Sequence, residues 1–184
     1  MNSAVLRRLA GALLLLLPVL AAAAVPAPAP ASASIAFLDS FVGGTWTAPL
    51  PPGKAGDTRA IELVFSHTPN HQGIHFESTL LSGARRIPYT SGFYAWNAAK
   101  GRFAMFYTDS VGGLVSGDAA VLDNALLHEL TETNKDGTVD QIKVRLTRVE
   151  PDAFTNEIYL LQGPDYQRVA SVRYTRRPDP PHQP

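Results

Sequence analysis

The 184-residue chain contains no cysteine. That absence excludes a disulfide framework, a thiolate metal centre and a thiol nucleophile, so the fold must hold without staples. Charge is scarce too: 17% of residues are Asp, Glu, Lys or Arg, and 16 basic side chains balance 16 acidic ones. The balance leaves no electrostatic footprint for nucleic acid or an anionic membrane. Long apolar runs are missing beyond the first two dozen residues, so no later segment reads as a spanning helix.

That first stretch has an order of its own: Arg7 and Arg8, an apolar run from Leu9 to Leu20, then Ala21 to Ala24. It is the order of a secretory signal, with Ala22 and Ala24 suited to a peptidase that leaves Val25 first. Leu9 to Val25 falls short of the roughly 20 residues a spanning helix needs and contains Pro18, which argues against an uncleaved anchor. Arg7-Arg8 lacks the flanking residues of a twin-arginine signal, and no cysteine follows for lipid attachment. Residues 1–24 are read as a Sec signal peptide, and the mature chain is expected in the periplasm or secreted, without stable membrane insertion. Without Arg7 and Arg8 it carries 14 basic against 16 acidic side chains.

The rest of the chain divides by composition. Residues 25–34, "VPAPAPASAS", contain no side chain large enough to pack and read as an extended tether. Residues 35–177 hold the folding pattern, and 178–184 read as a disordered tail. In "SIAFLDSFVGG" the spacing of Ile35, Leu38 and Phe41 or Val42 predicts a short helix over Ile35–Val42, capped by Ser34 and ended by Gly43. Beyond it come short segments rich in Val, Ile, Thr, Tyr and Phe. They predict strands at Thr45–Thr47, Ala60–His67, Ile74–Leu81, Tyr89–Asn97, Arg102–Asp109, Leu114–Leu122, Ala125–Thr133, Thr138–Arg148, Ala153–Gln162 and Gln167–Arg176. The joints, among them "NAAKG", "DSVGG", "NKDG" and "GPD", are short and rich in turn residues, so neighbours in sequence should be antiparallel neighbours in space. Ten such strands strain an open sheet, and closure into an up-and-down barrel is the economical outcome. The predicted class is all-β: an antiparallel barrel of about ten strands with a short N-terminal capping helix.

Closure by an even number of strands brings the start of the first and the end of the last to one rim. "GTW" at Gly44 to Trp46 opens the first and "VRYTRR" from Val172 to Arg177 closes the last. Here the chain resembles the calycin superfamily, the lipocalins and fatty-acid-binding proteins. Their first strand carries G-x-W after a short helix, and their last strand sends an arginine over the tryptophan. More particularly, "FVGGTW", "SGFYAWNAAKGRFAMFYTDSVGGLVSGDA" and the terminal "RYTRR" resemble, in order, a bacterial lipocalin-like family of unknown function. The resemblance spans about Ile35 to Arg177. It implies a barrel around a small hydrophobic ligand, with Gly44, Trp46 and Arg176 as the structural set and Arg173 as the second candidate for the arginine.

Strand alternation selects the inward rows. In the eighth strand Ile142, Val144 and Leu146 form the buried row, and Gln141, Lys143, Arg145 and Thr147 the solvated one. Ile61, Leu63 and Phe65, Ile74 and Phe76, Phe103, Met105 and Tyr107, and Phe154, Ile158 and Leu160 are assigned inward likewise. The fourth strand is ambiguous between Tyr89 with Phe93 and Tyr94 with Trp96; the second pair is taken as inward. His128 shares a face with Leu126 and Leu130 and points into the barrel, where an imidazole needs a partner. A hydroxyl such as that of Tyr107 or Tyr174 is one such partner; a ligand head group is another. The candidate ligand-binding residues are thus His128, Phe76, Tyr94, Trp96, Met105 and Tyr107. Haem, with His128 as axial ligand, is an alternative kept because haem-binding ten-stranded barrels are related to this superfamily, although their glycine- and proline-rich motif is not found here; no other cofactor is expected.

His67, His71 and His75 fall within "HTPNHQGIH". Pro69 and Gly73 exclude a helix that would align them, so the stretch reads as a hairpin with His75 in solvent rather than as a metal site. No catalytic residues are assigned. Ser116 lacks the G-x-S-x-G arrangement. Glu129 with Glu132, and His75 with Glu77, are set aside as acid–base pairs because each is expected to straddle its strand. The reading is an exported barrel protein binding a small hydrophobic or amphipathic molecule. The alternatives are a lipid-modifying barrel enzyme of isomerase or hydratase type, and an envelope structural or partner-binding protein with a filled core.

Overall fold

The computed structural model describes residues 29–51 and 59–177. The expected signal peptide, residues 25–28 of the tether and the C-terminal tail lie outside them. The element order is α1 (Ala31–Asp39), β1 (Thr45–Leu50), β2 (Arg59–His67), β3 (Gly73–Ser82), β4 (Arg85–Asn97), β5 (Arg102–Asp109), β6 (Leu114–Leu122), β7 (Ala125–Thr133), β8 (Val139–Glu150), β9 (Ala153–Gln162) and β10 (Asp165–Arg177). Each strand pairs antiparallel with its sequence neighbours, and β1 pairs with β10 through Thr45↔Arg177, Trp46↔Arg176 and Thr47↔Thr175. The result is the predicted fold, a closed ten-stranded up-and-down barrel.

Strands β5, β6, β7 and β9 occupy the residues expected from the sequence. The others run further, β8 only at its C-terminal end since it begins at Val139 rather than Thr138, because a paired neighbour carries a strand past the point where its own alternation fades. β4, for example, begins at Arg85 rather than Tyr89, with Arg85, Arg86 and Pro88 laddered against Ser82, Leu81 and Thr79. A bulge at Ser78/Thr79 leaves Tyr89 as the unpaired residue between Pro88 and Thr90.

The helix is shifted from its expected place. It starts at Ala31, inside the segment read as a tether, and ends at Asp39. Alanine favours helix, and Pro30 precedes it as N-cap with φ −54° and ψ 153°, where a missing N–H is no loss. Ser34 is consequently not the cap. It lies buried within the helix, its hydroxyl donating to the carbonyl of Ala29 at 3.2 Å.

The helix and the turn after it close one end of the barrel. Leu38 and Phe41 are buried, and the Phe41 ring meets Trp46, Phe65 and Phe154 at centroid distances of 5.6, 5.4 and 5.2 Å. Burying side chains of this size contributes roughly 1.5–3 kcal/mol each. The inward rows change along the axis. Near the helix, Trp46, Phe154 and Leu126 are fully buried; toward the opposite rim Ile61, Tyr107, Ile158 and Leu160, all facing inward by register, are only half-buried.

Candidate functional site

At the closed end, Arg176 lies over the Trp46 ring, its guanidinium carbon 4.2 Å from the centroid. Its Nη2 donates to the Ser40 carbonyl and its Nε faces Asp152 at 3.5 Å. The indole Nε1 donates to the Phe41 carbonyl at 2.8 Å. Gly44 adopts φ +69°, and a Cβ there would stand 2.6 Å from the Arg177 carbonyl oxygen, so both conformation and space demand glycine. Arg173 takes no part; it pairs with Glu150 at 2.7 Å.

A second arginine joins this end. Arg148, paired with Phe154 in the ladder, sits 4.6 Å over Phe41 and donates to Ser40 Oγ at 2.6 Å and to the Pro151 carbonyl at 2.7 Å. Burial, and after it the charge of Arg176, hold its pKa below the ordinary guanidinium value. Continuing the row Ile142, Val144, Leu146 by one step finds it. This end is a structural plug.

Midway along the barrel lies the one interior imidazole among the described residues. His128 is 2% exposed. Its Nδ1 is 3.1 Å from the Val144 carbonyl and therefore carries the hydrogen; Nε2 then accepts from the Tyr94 hydroxyl at 2.9 Å. The partner is thus Tyr94, not Tyr107 or Tyr174. Burial outweighs the Val144 bond and lowers the His128 pKa from 6.5 to about 4, while burial and then Tyr107 push the Tyr94 phenol up. Phe76 packs on Tyr94 and Tyr107 at 5.3 and 5.9 Å, and Met105 is laddered against Tyr94. Five of the six candidate ligand residues therefore meet. Trp96 does not: β4 carries it to the closed end, 5.1 Å from Phe103.

Above this floor the open half is lined by half-buried aliphatic side chains and by phenols. Tyr174 stacks on Phe154 at 4.7 Å, and no described protein group bonds its hydroxyl or that of Tyr107. Tyr89 raises the pKa of both, after the larger effect of burial, although β4 and β10 lie on different sides of the barrel. Tyr89 stands at the bulge, 42% exposed, where alternation alone does not predict its direction. A cleft of about 310 Å³ opens at the same bulge, with Ser78, Tyr89, Thr90 and Asp109 in its wall. Asn156, on the inward row between Phe154 and Ile158, has a buried side-chain oxygen without a partner.

The histidine-rich stretch is the β2–β3 hairpin. His67 ends β2, His71 sits in the loop at φ 54°, and the His75 ring turns to Ser91 Oγ at 3.2 Å. Among the described residues no three His, Cys, Asp or Glu side chains converge for a metal ion. His75 and Glu77 do not straddle their strand. Two residues apart, they share its outer face, with Nε2 and Oε1 4.0 Å apart.

No family model and no curated protein matches this chain. Among solved structures, Rv2717c from M. tuberculosis superposes with a TM-score of 0.55 at 15% identity, over 82% of this chain and 99% of its own. A second barrel, EF1p2_mFAP2b bound to DFHBI, covers 78% of this chain and all of its own length at 16% identity, with a TM-score of 0.32. Likeness at these identities concerns the fold alone.

Proposed function

We propose that the open half of the barrel binds a small hydrophobic or amphipathic molecule. The observation that supports it most is the gradient along the inward rows, from fully buried at Trp46 and Phe154 to half-buried at Ile158, Leu160 and Ile61. A concave apolar wall with a few polar groups is the usual make-up of a small-molecule site, and each methylene buried there contributes about 0.8 kcal/mol. The unbonded hydroxyls of Tyr107 and Tyr174 supply the polar groups.

Haem at His128 fits poorly. Both ring nitrogens are engaged, so axial ligation would first have to displace the Tyr94 hydroxyl from Nε2. Export belongs to the proposal and rests on the order of residues 1–24; N-terminal sequencing that finds Val25 first supports it, and Met1 on membrane-bound material contradicts it. For binding itself, native mass spectrometry of protein purified from its own compartment should show a bound molecule that denaturation releases. A bare polypeptide mass, together with failure to bind added long-chain alcohols, would remove the proposal.

A further inference from the structure

Two polar side chains deep in the lumen have no partner, and they stand side by side. Tyr174, on the inward row of β10, is 4% exposed. Its ring stacks on Phe154 at 4.7 Å, while its hydroxyl neither bonds a described residue nor is sealed away from the lumen. Asn156, two residues beyond Phe154 on the inward row of β9, has a buried side-chain oxygen that accepts nothing. Tyr174 ladders against Phe154 and Val172 against Asn156, so the two polar groups flank one stretch of floor just above the plug. Polar groups buried in this way are costly until something meets them. Asn156 is only half-buried as a residue, and a turn of its amide brings the oxygen to the lumen.

The charges that face the lumen are confined to its two ends. At the open rim the inward rows finish on Arg59 of β2 and on Asp109, Glu132 and Asp140 of β5, β7 and β8. None of the four forms an ion pair with a described residue, and both signs stand on one rim, which therefore selects neither. At the closed end Arg148 and Arg176 are committed to Ser40. Between the ends the floor is uncharged at neutral pH. His128, with its pKa lowered to about 4, is neutral, and burial pushes the Tyr94, Tyr107 and Tyr174 phenols up, so each keeps its hydrogen.

We propose that the lumen takes an uncharged, hydroxyl-bearing apolar molecule head-down, its hydroxyl accepting from Tyr174 and donating to Asn156, its tail running along Ile158 and Leu160 toward the rim. The inference rests on the lumen-binding reading and adds the chemistry and the direction of the head group. A hydroxyl is donor and acceptor at once, so one oxygen meets both unpartnered groups. An ionised carboxylate only accepts; it would leave the Asn156 oxygen unmet and lose its water where no counter-ion stands. A quaternary ammonium has no hydrogen to donate and no lone pair to accept with.

The test compares three monomeric ligands with one tail, 1-decanol, decanoate and decyltrimethylammonium, by calorimetry. Decanol should bind about tenfold more tightly than either ion, and Tyr174→Phe, which keeps the ring on Phe154, should remove most of that advantage. Direction is read on the unsubstituted protein, so it stands even if the variant does not fold. With decanol carrying carbon-13 at its first carbon, the labelled methylene should show nuclear Overhauser contacts to the Val172 methyls and the Tyr174 ring, and the terminal methyl to Leu160. Decanoate binding as tightly as decanol would assign the head to Arg59 and overturn the inference. An undiminished decanol preference in Tyr174→Phe, or a labelled methylene beside Leu160, would overturn it as well. Each of these leaves the lumen reading intact, whereas absence of binding by all three ligands overturns both.

Discussion

Truncating Trp46 and Arg176 singly and together measures the contact that closes the barrel. Trp46→Ala removes a fully buried indole from between Phe41, Phe154 and Arg176, at a cost of about 3–5 kcal/mol. Arg176→Ala loses the stacked guanidinium, roughly 0.5–2 kcal/mol, and the bond to Ser40, about 1 kcal/mol. The ion pair with Asp152 adds little, because that carboxylate is 72% exposed. Removing Arg176 also relieves the repulsion felt by Arg148, so the single cost should settle near 2 kcal/mol. In the Trp46→Ala background the stacking is already gone and only the Ser40 bond remains to be lost. The double variant should therefore fall short of the sum of the singles by about 1 kcal/mol. Urea unfolding followed by far-ultraviolet circular dichroism reads all four corners without depending on tryptophan emission. Arg173→Ala, whose guanidinium goes to Glu150, is the additive control. Additivity within about 0.5 kcal/mol for Arg176 as well would refute the coupling.

Acid should weaken the fold through His128: its folded pKa of about 4 lies below the ordinary 6.5, so between these values the unfolded chain binds a proton that the folded one refuses. Stability should fall by about 3 kcal/mol as pH drops through that window. His128→Gln should flatten the slope; an unchanged slope in the variant would contradict the assignment, since the raised pKa of Glu132 acts in the opposite sense in both proteins. Tyr94→Phe, which orphans Nε2, should cost about 1–3 kcal/mol in the same urea assay, and no loss would count against the bond. Gly44→Ala should cost at least about 2 kcal/mol, combining left-handed strain with overlap on the Arg177 carbonyl; neutral behaviour would discount the plug geometry. Replacing His67 and His75 by Ala and His71 by Asn, which tolerates φ 54°, should leave the melting temperature unchanged with or without a chelator; a chelator-dependent drop in the wild type alone would reveal a metal.

Much of the barrel could be read from local pattern because an up-and-down topology makes sequence neighbours into spatial neighbours. Period-two alternation then places Phe103, Met105 and Phe154 inside without knowledge of distant residues. Features that escaped depended on departures from that period or on long-range contact. The Ser78/Thr79 bulge breaks alternation and leaves Tyr89 unpaired beside the cleft that Asp109 also lines. Glu62, on the outward row of β2, would be solvated by the local rule, yet Arg86 and Arg177 fold over it and leave it 7% exposed. The helix start was hidden by composition, since the alanines that mark a tether are also good helix formers once Leu38 has a core to enter. The charged rim needed only the inward rows to be followed to their ends, where Arg59, Asp109, Glu132 and Asp140 stand.

The central claim is that the open lumen, and not the outer wall, takes the ligand. Methyl-labelled protein titrated with monomeric 1-decanol addresses it directly by nuclear magnetic resonance. Methyl signals of Val144, Ile158, Leu160 and Val172, half-buried on the inward rows, should shift together and saturate, while those of Val64, Val139 and Val149, exposed on the outside, stay in place. Shifts confined to the outer valines, or unmoved inner methyls once decanol is bound, would contradict it.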